Sequence, residues 1–180
     1  MSPYLPEMLF SPQQIRRRVE ELAGLISADY AAADELLMVG VLRGCYIFLA
    51  DLSRLVTVPR RIDFIAVSSY QTQTVSTGSV RLVLDVRSDI RDRHVLLVDD
   101  ILDSGYTMNF LVNLFRSRDP ASLKTCALLR KPGRLQVDVV LDYLGFDIPD
   151  VWVVGYGLDC ADLFRALPFI GRVDPGKFPK

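Results

Sequence analysis

Apolar residues in this chain fall into short unbroken runs separated by stretches with helical spacing. Leu36 to Leu42 (LLMVGVL), Val95 to Val98 and Leu123 to Leu129 are nearly all apolar, the pattern of strands buried on both faces. Ile62–Val67 reads as a further strand, and Val80, Leu82 and Leu84 alternate as a half-buried strand should. Val137–Leu144 and Val151–Val154 complete the predicted strands. Ahead of them, Ile15, Val19, Leu22 and Ile26 recur at helical spacing behind Ser11-Pro12-Gln13-Gln14, a serine cap with proline in the first turn and glutamine three residues on. A second helix is predicted through Ile47, Phe48, Leu52 and Leu55. A third runs through Phe110, Leu111, Leu114 and Phe115 and ends near Arg118-Asp119-Pro120. Asp159–Leu167 reads as a short helix or turn, and the tail after Phe169 has little periodicity.

Strands separated by helical segments predict an α/β fold with a mainly parallel, twisted sheet covered by helices on both faces. In such sheets ligands gather at the carboxyl ends of the strands. The polar residues that follow successive strands, at Arg43, Ser68, Asp99 and Lys131, would then face one crevice. The run from Ser68 to Ser79 (SSYQTQTVSTGS) is polar, almost uncharged and too long for a tight hairpin. It is either a mobile loop over that crevice or an exposed β-connection.

Composition narrows the class without naming a chemistry. A chain of 180 residues, half of them hydrophobic, predicts one domain spanning residues 1–180 with a sizeable core. A net charge of −1 argues against a general nucleic-acid binder. Cys45, Cys126 and Cys160 are far apart, odd in number and without metal-ligand spacing, so free thiols in a reducing cytoplasm are expected. The start of the chain, with Pro3, Pro6 and Glu7, lacks the basic and apolar regions of a secretion signal, and no segment is apolar for long enough to cross a bilayer.

The chemistry concentrates in HVLLVDDILDSGYTMNF, from His94 to Phe110. A buried strand leads into two carboxylates, Asp99 and Asp100, then a turn with Asp103, Ser104, Gly105 and Thr107, then a helix. Glycine lets backbone approach a ligand closely, and the helix start presents free N–H groups, so a phosphate fits there. The acids would serve sugar hydroxyls or a metal. Turns and caps are often acidic for purely structural reasons. Three acids, two hydroxyls and a glycine within nine residues of an apolar strand shift the balance toward a site.

VLLVDDILDSGYT resembles the motif of the type I phosphoribosyltransferases, and more specifically of their hypoxanthine-guanine branch. GVLRGCYIFLADL, DFIAVSSY, LLRKP and DYLGFDIPDVWVVGYGLD agree with that branch in the same order, so the resemblance covers Leu36 to Leu167. It implies a core over about residues 30–145, with a small hood built from the N-terminal segment and about residues 146–180. It also implies a purine salvage enzyme that moves the phosphoribosyl group of phosphoribosyl pyrophosphate onto a 6-oxopurine base. The implied cofactor is Mg2+, and the implied assembly a homodimer or homotetramer with no membrane or nucleic-acid partner.

Carried over position by position, Asp99 and Asp100 match the pair that engages the ribose hydroxyls, with Mg2+ reached through water or those hydroxyls. Asp103, Ser104, Gly105, Tyr106 and Thr107 match the 5′-phosphate cradle, with Asp103 also the group that takes the purine N7 proton. Leu42, Arg43 and Gly44 match the pyrophosphate loop, which in the family carries a non-proline cis peptide, and Arg165 matches a second pyrophosphate ligand. Ser68, Ser69 and Tyr70 match the lid. Lys131 matches the donor to the purine O6, Trp152 the stacking ring, Val153 a backbone contact to the base edge, and Asp159 a position near a second Mg2+. Taken without the resemblance, Lys131 would be a solvated turn lysine and Trp152 a core residue. His94 matches no catalytic role.

The chain departs from the family at several of these positions. Asp99 stands where glutamate is frequent, Ser104 where threonine is common, Arg43 where lysine is frequent, and Cys160 where tyrosine is usual; Gln71 and Gln73 stand at lid positions often held by small residues. The same fold also serves RNA-binding regulators of pyrimidine synthesis. Those lack an acid at the position of Asp103, as do the adenine enzymes, so Asp103 decides between the branches.

Overall fold

Helix α1 (Pro12–Asp29) shows how closely local sequence and structure agree. The Ser11 hydroxyl accepts from the Gln14 amide, and the Gln14 side chain accepts from the Ser11 amide at 2.8 Å, so both ends of the predicted capping box are made. Ile15, Val19, Leu22 and Ile26 are all buried on its inner face. The computed structural model describes residues 6–72 and 75–177; the side chains of residues 69–79 and 177 lie outside that description.

Six strands form the main sheet in the order β4-β3-β2-β5-β6-β7: β2 (Leu36–Leu42), β3 (Arg60–Thr72), β4 (Val75–Leu84), β5 (His94–Leu102), β6 (Ser122–Arg130) and β7 (Tyr143–Asp147). All neighbouring pairs are parallel except β3–β4, which places an antiparallel strand at one edge. Helices α1 and α2 (Tyr46–Leu55) cover one face, packing with Leu36, Met38, Leu96, Val98, Cys126 and Leu128. Helix α3 (Tyr106–Arg116) covers the other with Leu37, Val39, Val95, Leu97 and Ala127. Consecutive residues of one strand thus enter opposite cores, which is why these strands read as unbroken apolar runs. Cys45, Cys126 and Cys160 are buried free thiols. A second, three-stranded antiparallel sheet joins β1 (Glu7–Phe10) to β9 (Ile170–Val173) and β8 (Trp152–Val154).

Three local expectations change, and two open alternatives are resolved. Of the two readings of the polar run after Ser68, the β-connection holds: β3 and β4 pair as a hairpin through Gln71↔Ser76 and Thr72↔Val75, tighter than the length of the run suggested. Leu84, at the outer end of that hairpin, is exposed rather than half-buried. The strand predicted over Val137–Leu144 forms only from Tyr143, because the preceding segment bonds to a side chain of β6. Thr125 donates its hydroxyl to the Val140 carbonyl at 2.7 Å, and its amide donates to the Asp142 carboxylate at 2.8 Å. Of the helix or turn expected over residues 159–167, the turn forms, with Ala161, Asp162 and Phe164 at positive φ. The aperiodic tail contains β9, which pairs with a segment more than 150 residues earlier and is fastened by an Arg172–Glu7 ion pair at 2.7 Å.

Candidate active site

Parallel pairing brings the carboxyl ends of β2, β3, β5 and β6 to one edge of the sheet. The acidic pair lies within β5, which continues to Leu102 rather than stopping at Val98. Asp99 is buried, Asp100 is half-buried, and the Asp100 amide donates to Asp99 Oδ1 at 3.0 Å. Burial, and then the charge of Asp100, hold the Asp99 carboxyl well above its ordinary range. Burial also raises Asp100, opposed by the hydrogen bond with Asp99, backbone N–H groups and the positive charge of Arg165. Two adjacent carboxylates that resist ionising together form a site that favours a cation or hydroxyl donors beside it.

Past β5 the chain turns at Gly105, whose φ of +88° starts α3. A Cβ there would also press on the Val137 carbonyl at 2.9 Å, so both conformation and space call for glycine. The turn before it carries Asp103 and Ser104, and the first helical turn carries Tyr106 and Thr107, all half-buried. The amides that open α3 have no helical carbonyl to bond, which suits an anion at this position.

The loop after β2 approaches from the neighbouring strand. Its Leu42–Arg43 peptide is cis, as the resemblance implies. Gly44 packs so tightly that a Cβ would overlap the Asp100 carboxylate, and a Cβ on Gly157 would collide with the Gly44 carbonyl. The segment from Gly155 to Leu167 is thereby seated on the loop after β2. It delivers Arg165, which donates to the Gly157 carbonyl at 2.8 Å and pairs with Asp159 at 2.7 Å and Asp162 at 3.0 Å.

On the other side of β5, the end of β6 supplies Lys131, whose amide donates to the Leu102 carbonyl at 3.0 Å. Lys131 is buried, not a solvated turn residue; its ammonium lies 3.7 Å from Asp103 and 3.5 Å from Asp150. Arg134 Nε lies 2.7 Å from Asp103 Oδ1, at ion-pair distance though not aligned as a hydrogen bond. Trp152 is half-exposed rather than core, and its indole N–H donates to the Asp159 carbonyl at 3.2 Å. Val153 beside it is buried.

The Phosphoribosyl transferase domain family matches residues 7–161 of this chain. A hypoxanthine-guanine phosphoribosyltransferase of Dictyostelium discoideum is 41% identical over 170 residues, covering 93% of this chain and 94% of that protein. A hypoxanthine-guanine phosphoribosyltransferase structure from Bacillus anthracis, with a HEPES molecule in its active site, superposes with a TM-score of 0.90 at 44% identity, covering 94% of this chain and 99% of that one. The hypoxanthine phosphoribosyltransferase of Trypanosoma cruzi in complex with the product IMP gives 0.88 at 40% identity, covering 96% of each. The chain belongs to the hypoxanthine-guanine phosphoribosyltransferase family.

Within that family's site the structure brings together Asp99, Asp100, Gly44, Arg43 and Arg165 on one side of β5, and Asp103 with Lys131 on the other. Trp152 donates its indole N–H to the Asp159 carbonyl, and Asp159 pairs with Arg165. Ser68, Ser69 and Tyr70 are not in a free loop; their backbone lies in β3, with Ser68↔Arg81 and Ser69↔Val80 paired to β4. The Ser69, Tyr70 and Gln71 side chains, and Gln73 altogether, lie outside the described residues. Asp159 is engaged by Arg165, and among the described residues no group of three or more His, Cys, Asp or Glu side chains is arranged to hold a metal. His94 contacts Ser122 at 2.8 Å and the Tyr30 ring, at the far end of β5 from the acids. No helix among the described residues is long and apolar enough to cross a membrane.

Sequence reasoning missed Arg134, Asp150, Asp162 and Gly157. Arg134 stands three residues after Lys131, which a tight turn brings side by side, and the Gly-Tyr-Gly of residues 155–157 signals a close backbone approach. Asp150 carries no local signal, since Lys131 and Arg134 lie on another segment, and the contact of Asp162 with Arg43 is equally distant in sequence.

Proposed function

We propose that the protein is a cytoplasmic purine salvage enzyme that transfers the 5-phosphoribosyl group of phosphoribosyl pyrophosphate to N9 of hypoxanthine or guanine. The products are IMP or GMP and pyrophosphate. The observation that carries this reading is the placement of a buried lysine beside Asp103, next to the ribose-facing acids of the same strand. A buried cation at the base pocket suits a purine bearing oxygen at position 6, and a 6-amino group would leave it without an acceptor. The IMP held by the T. cruzi relative fits the same assignment.

Asp99 and Asp100 accept from the ribose 2′- and 3′-hydroxyls, and the opening amides of α3 with Ser104 and Thr107 hold the 5′-phosphate. Arg43 and Arg165 neutralise the negative charge that builds on departing pyrophosphate while C1 of the sugar takes on oxocarbenium character. Trp152 stacks on the purine, Val153 lends backbone groups to its edge, and Lys131 donates to O6. Asp103 takes the N7 proton, or holds it by hydrogen bonding, as the bond forms at N9. Mg2+ suits the repelling acids Asp99 and Asp100, engaged through ribose hydroxyls or water, with Asp159 near a second ion; bound there, it would supply charge neutralisation to the pyrophosphate. The β3–β4 hairpin from Ser68 covers the reacting centre, the three-stranded sheet serves as the hood, and the protein assembles as a homodimer or homotetramer.

The test is turnover with phosphoribosyl pyrophosphate and Mg2+ against hypoxanthine, guanine, xanthine and adenine. Hypoxanthine and guanine are consumed under this reading. Consumption of adenine alone, or of no base, would overturn it.

A further inference from the structure

Four charged side chains of alternating sign meet at the base side of the site, and only two of them have a part in the chemistry above. Their arrangement starts in local backbone. After Lys131, Pro132 opens a single 3-10 turn (Pro132–Arg134) in which the Arg134 amide donates to the Lys131 carbonyl at 3.0 Å, so both side chains leave the same turn. The Ile148 amide donates to the Arg130 carbonyl at 2.9 Å and ties the segment before Asp150 to the same point. Asp103 comes from the turn after β5.

The distances within this group are unequal. Arg134 lies 2.7 Å from Asp103 and reaches both Asp150 oxygens at 3.4 Å. Lys131 sits between the same two carboxylates at 3.7 and 3.5 Å, too far for a good hydrogen bond to either. A buried ammonium beside a carboxylate would ordinarily close to direct contact. Closure here would consume the donor meant for the purine O6 and the acceptor meant for the N7 proton in one stroke. Arg134 occupies Asp103 Oδ1 instead, and the second carboxylate balances the second cation. Asp103, and then Asp150, also raise the Arg134 guanidinium above its ordinary value, so its charge is permanent.

We propose that Arg134, anchored on Asp150, is a positioning residue that holds Asp103 and keeps it from closing onto Lys131, leaving both directed at the incoming purine. The inference rests on the transferase reading above and deepens it. It assigns to Arg134 a task that acts on the base half of the reaction and not on the sugar-phosphate half.

The experiment is a double-mutant cycle in the intact protein: Arg134→Met and Arg134→Lys, each alone and combined with Asp103→Asn, with kcat and both KM values and Tm measured. Arg134→Met should lower kcat with hypoxanthine at least about tenfold, a part of the roughly hundredfold or more a positioned base supplies. It should raise KM for hypoxanthine and leave KM for phosphoribosyl pyrophosphate within about twofold, and Arg134→Lys should recover part of the loss. In the Asp103→Asn background the same change should cost less than about twofold, because there is no carboxylate left to hold. Equal losses in both backgrounds, or a loss confined to KM for phosphoribosyl pyrophosphate or to Tm, would overturn the inference while leaving the transferase reading intact. Absence of turnover in the unsubstituted protein would remove that reading, and this inference with it.

Discussion

The guanidinium of Arg43, in the loop after β2, lies 2.8 Å from Asp162, a residue 119 positions further along the chain. Arg165 reaches the same carboxylate oxygen at 3.0 Å. One acid therefore engages both arginines assigned to pyrophosphate and competes with it. Asp162 is exposed in both pairs and solvent screens its charge, so the effect should be modest, about one-and-a-half- to fivefold. Asp162→Asn should lower KM for phosphoribosyl pyrophosphate and strengthen product inhibition by pyrophosphate by that factor. Steady-state inhibition kinetics read both, and a higher KM would assign Asp162 a supporting task instead.

Asp99 makes stability depend on pH in a stated direction. Its carboxyl is raised by burial and by Asp100, so above the ordinary value of 3.8 the folded chain keeps a proton that the unfolded chain has lost. Stability then falls as pH climbs from there through the raised folded value. Asp99→Asn should flatten that limb and raise Tm at pH 7 by several degrees, while weakening the ribose contact. Thermal unfolding from pH 4 to 8 is the measurement.

Trp152 is the single tryptophan of the chain and stands half-exposed, its indole N–H on the Asp159 carbonyl, where we propose the purine stacks. Its emission should be quenched by saturating GMP. Trp152→Leu should raise KM for guanine about three- to tenfold, the worth of one stacked ring, with little change in Tm. Unchanged emission on saturation would place the purine elsewhere.

Gly44 admits no side chain, since a Cβ would overlap the Asp100 carboxylate. Gly44→Ala should lower turnover by roughly a hundredfold or more by displacing an acid from the ribose. Comparing its kcat/KM for phosphoribosyl pyrophosphate with its Tm separates this displacement from general unfolding.

The parts of this molecule legible from sequence are those whose signal is local. Leu36–Leu42 reads as a buried strand because each residue enters one of two cores, and Ser11 with Gln14 announces a helix start because both partners lie within one turn. Asp99, Asp100, Asp103 and Gly105 were legible because one strand–turn–helix junction carries them all. The β1–β9 pairing, Asp150 beside Lys131 and Asp162 on Arg43 were not, since each depends on contacts between segments far apart in sequence. The strand expected from Val137 failed for a related reason: Thr125 captured its backbone partners from β6.

The central claim is that Asp103, beside Lys131 at the end of β5, handles the purine proton while its neighbours Asp99 and Asp100 hold the sugar. Steady-state kinetics of Asp103→Asn with hypoxanthine test it most directly. The account predicts a fall in kcat of about a hundredfold or more with KM for phosphoribosyl pyrophosphate nearly unchanged. Near-normal turnover in that variant would contradict it.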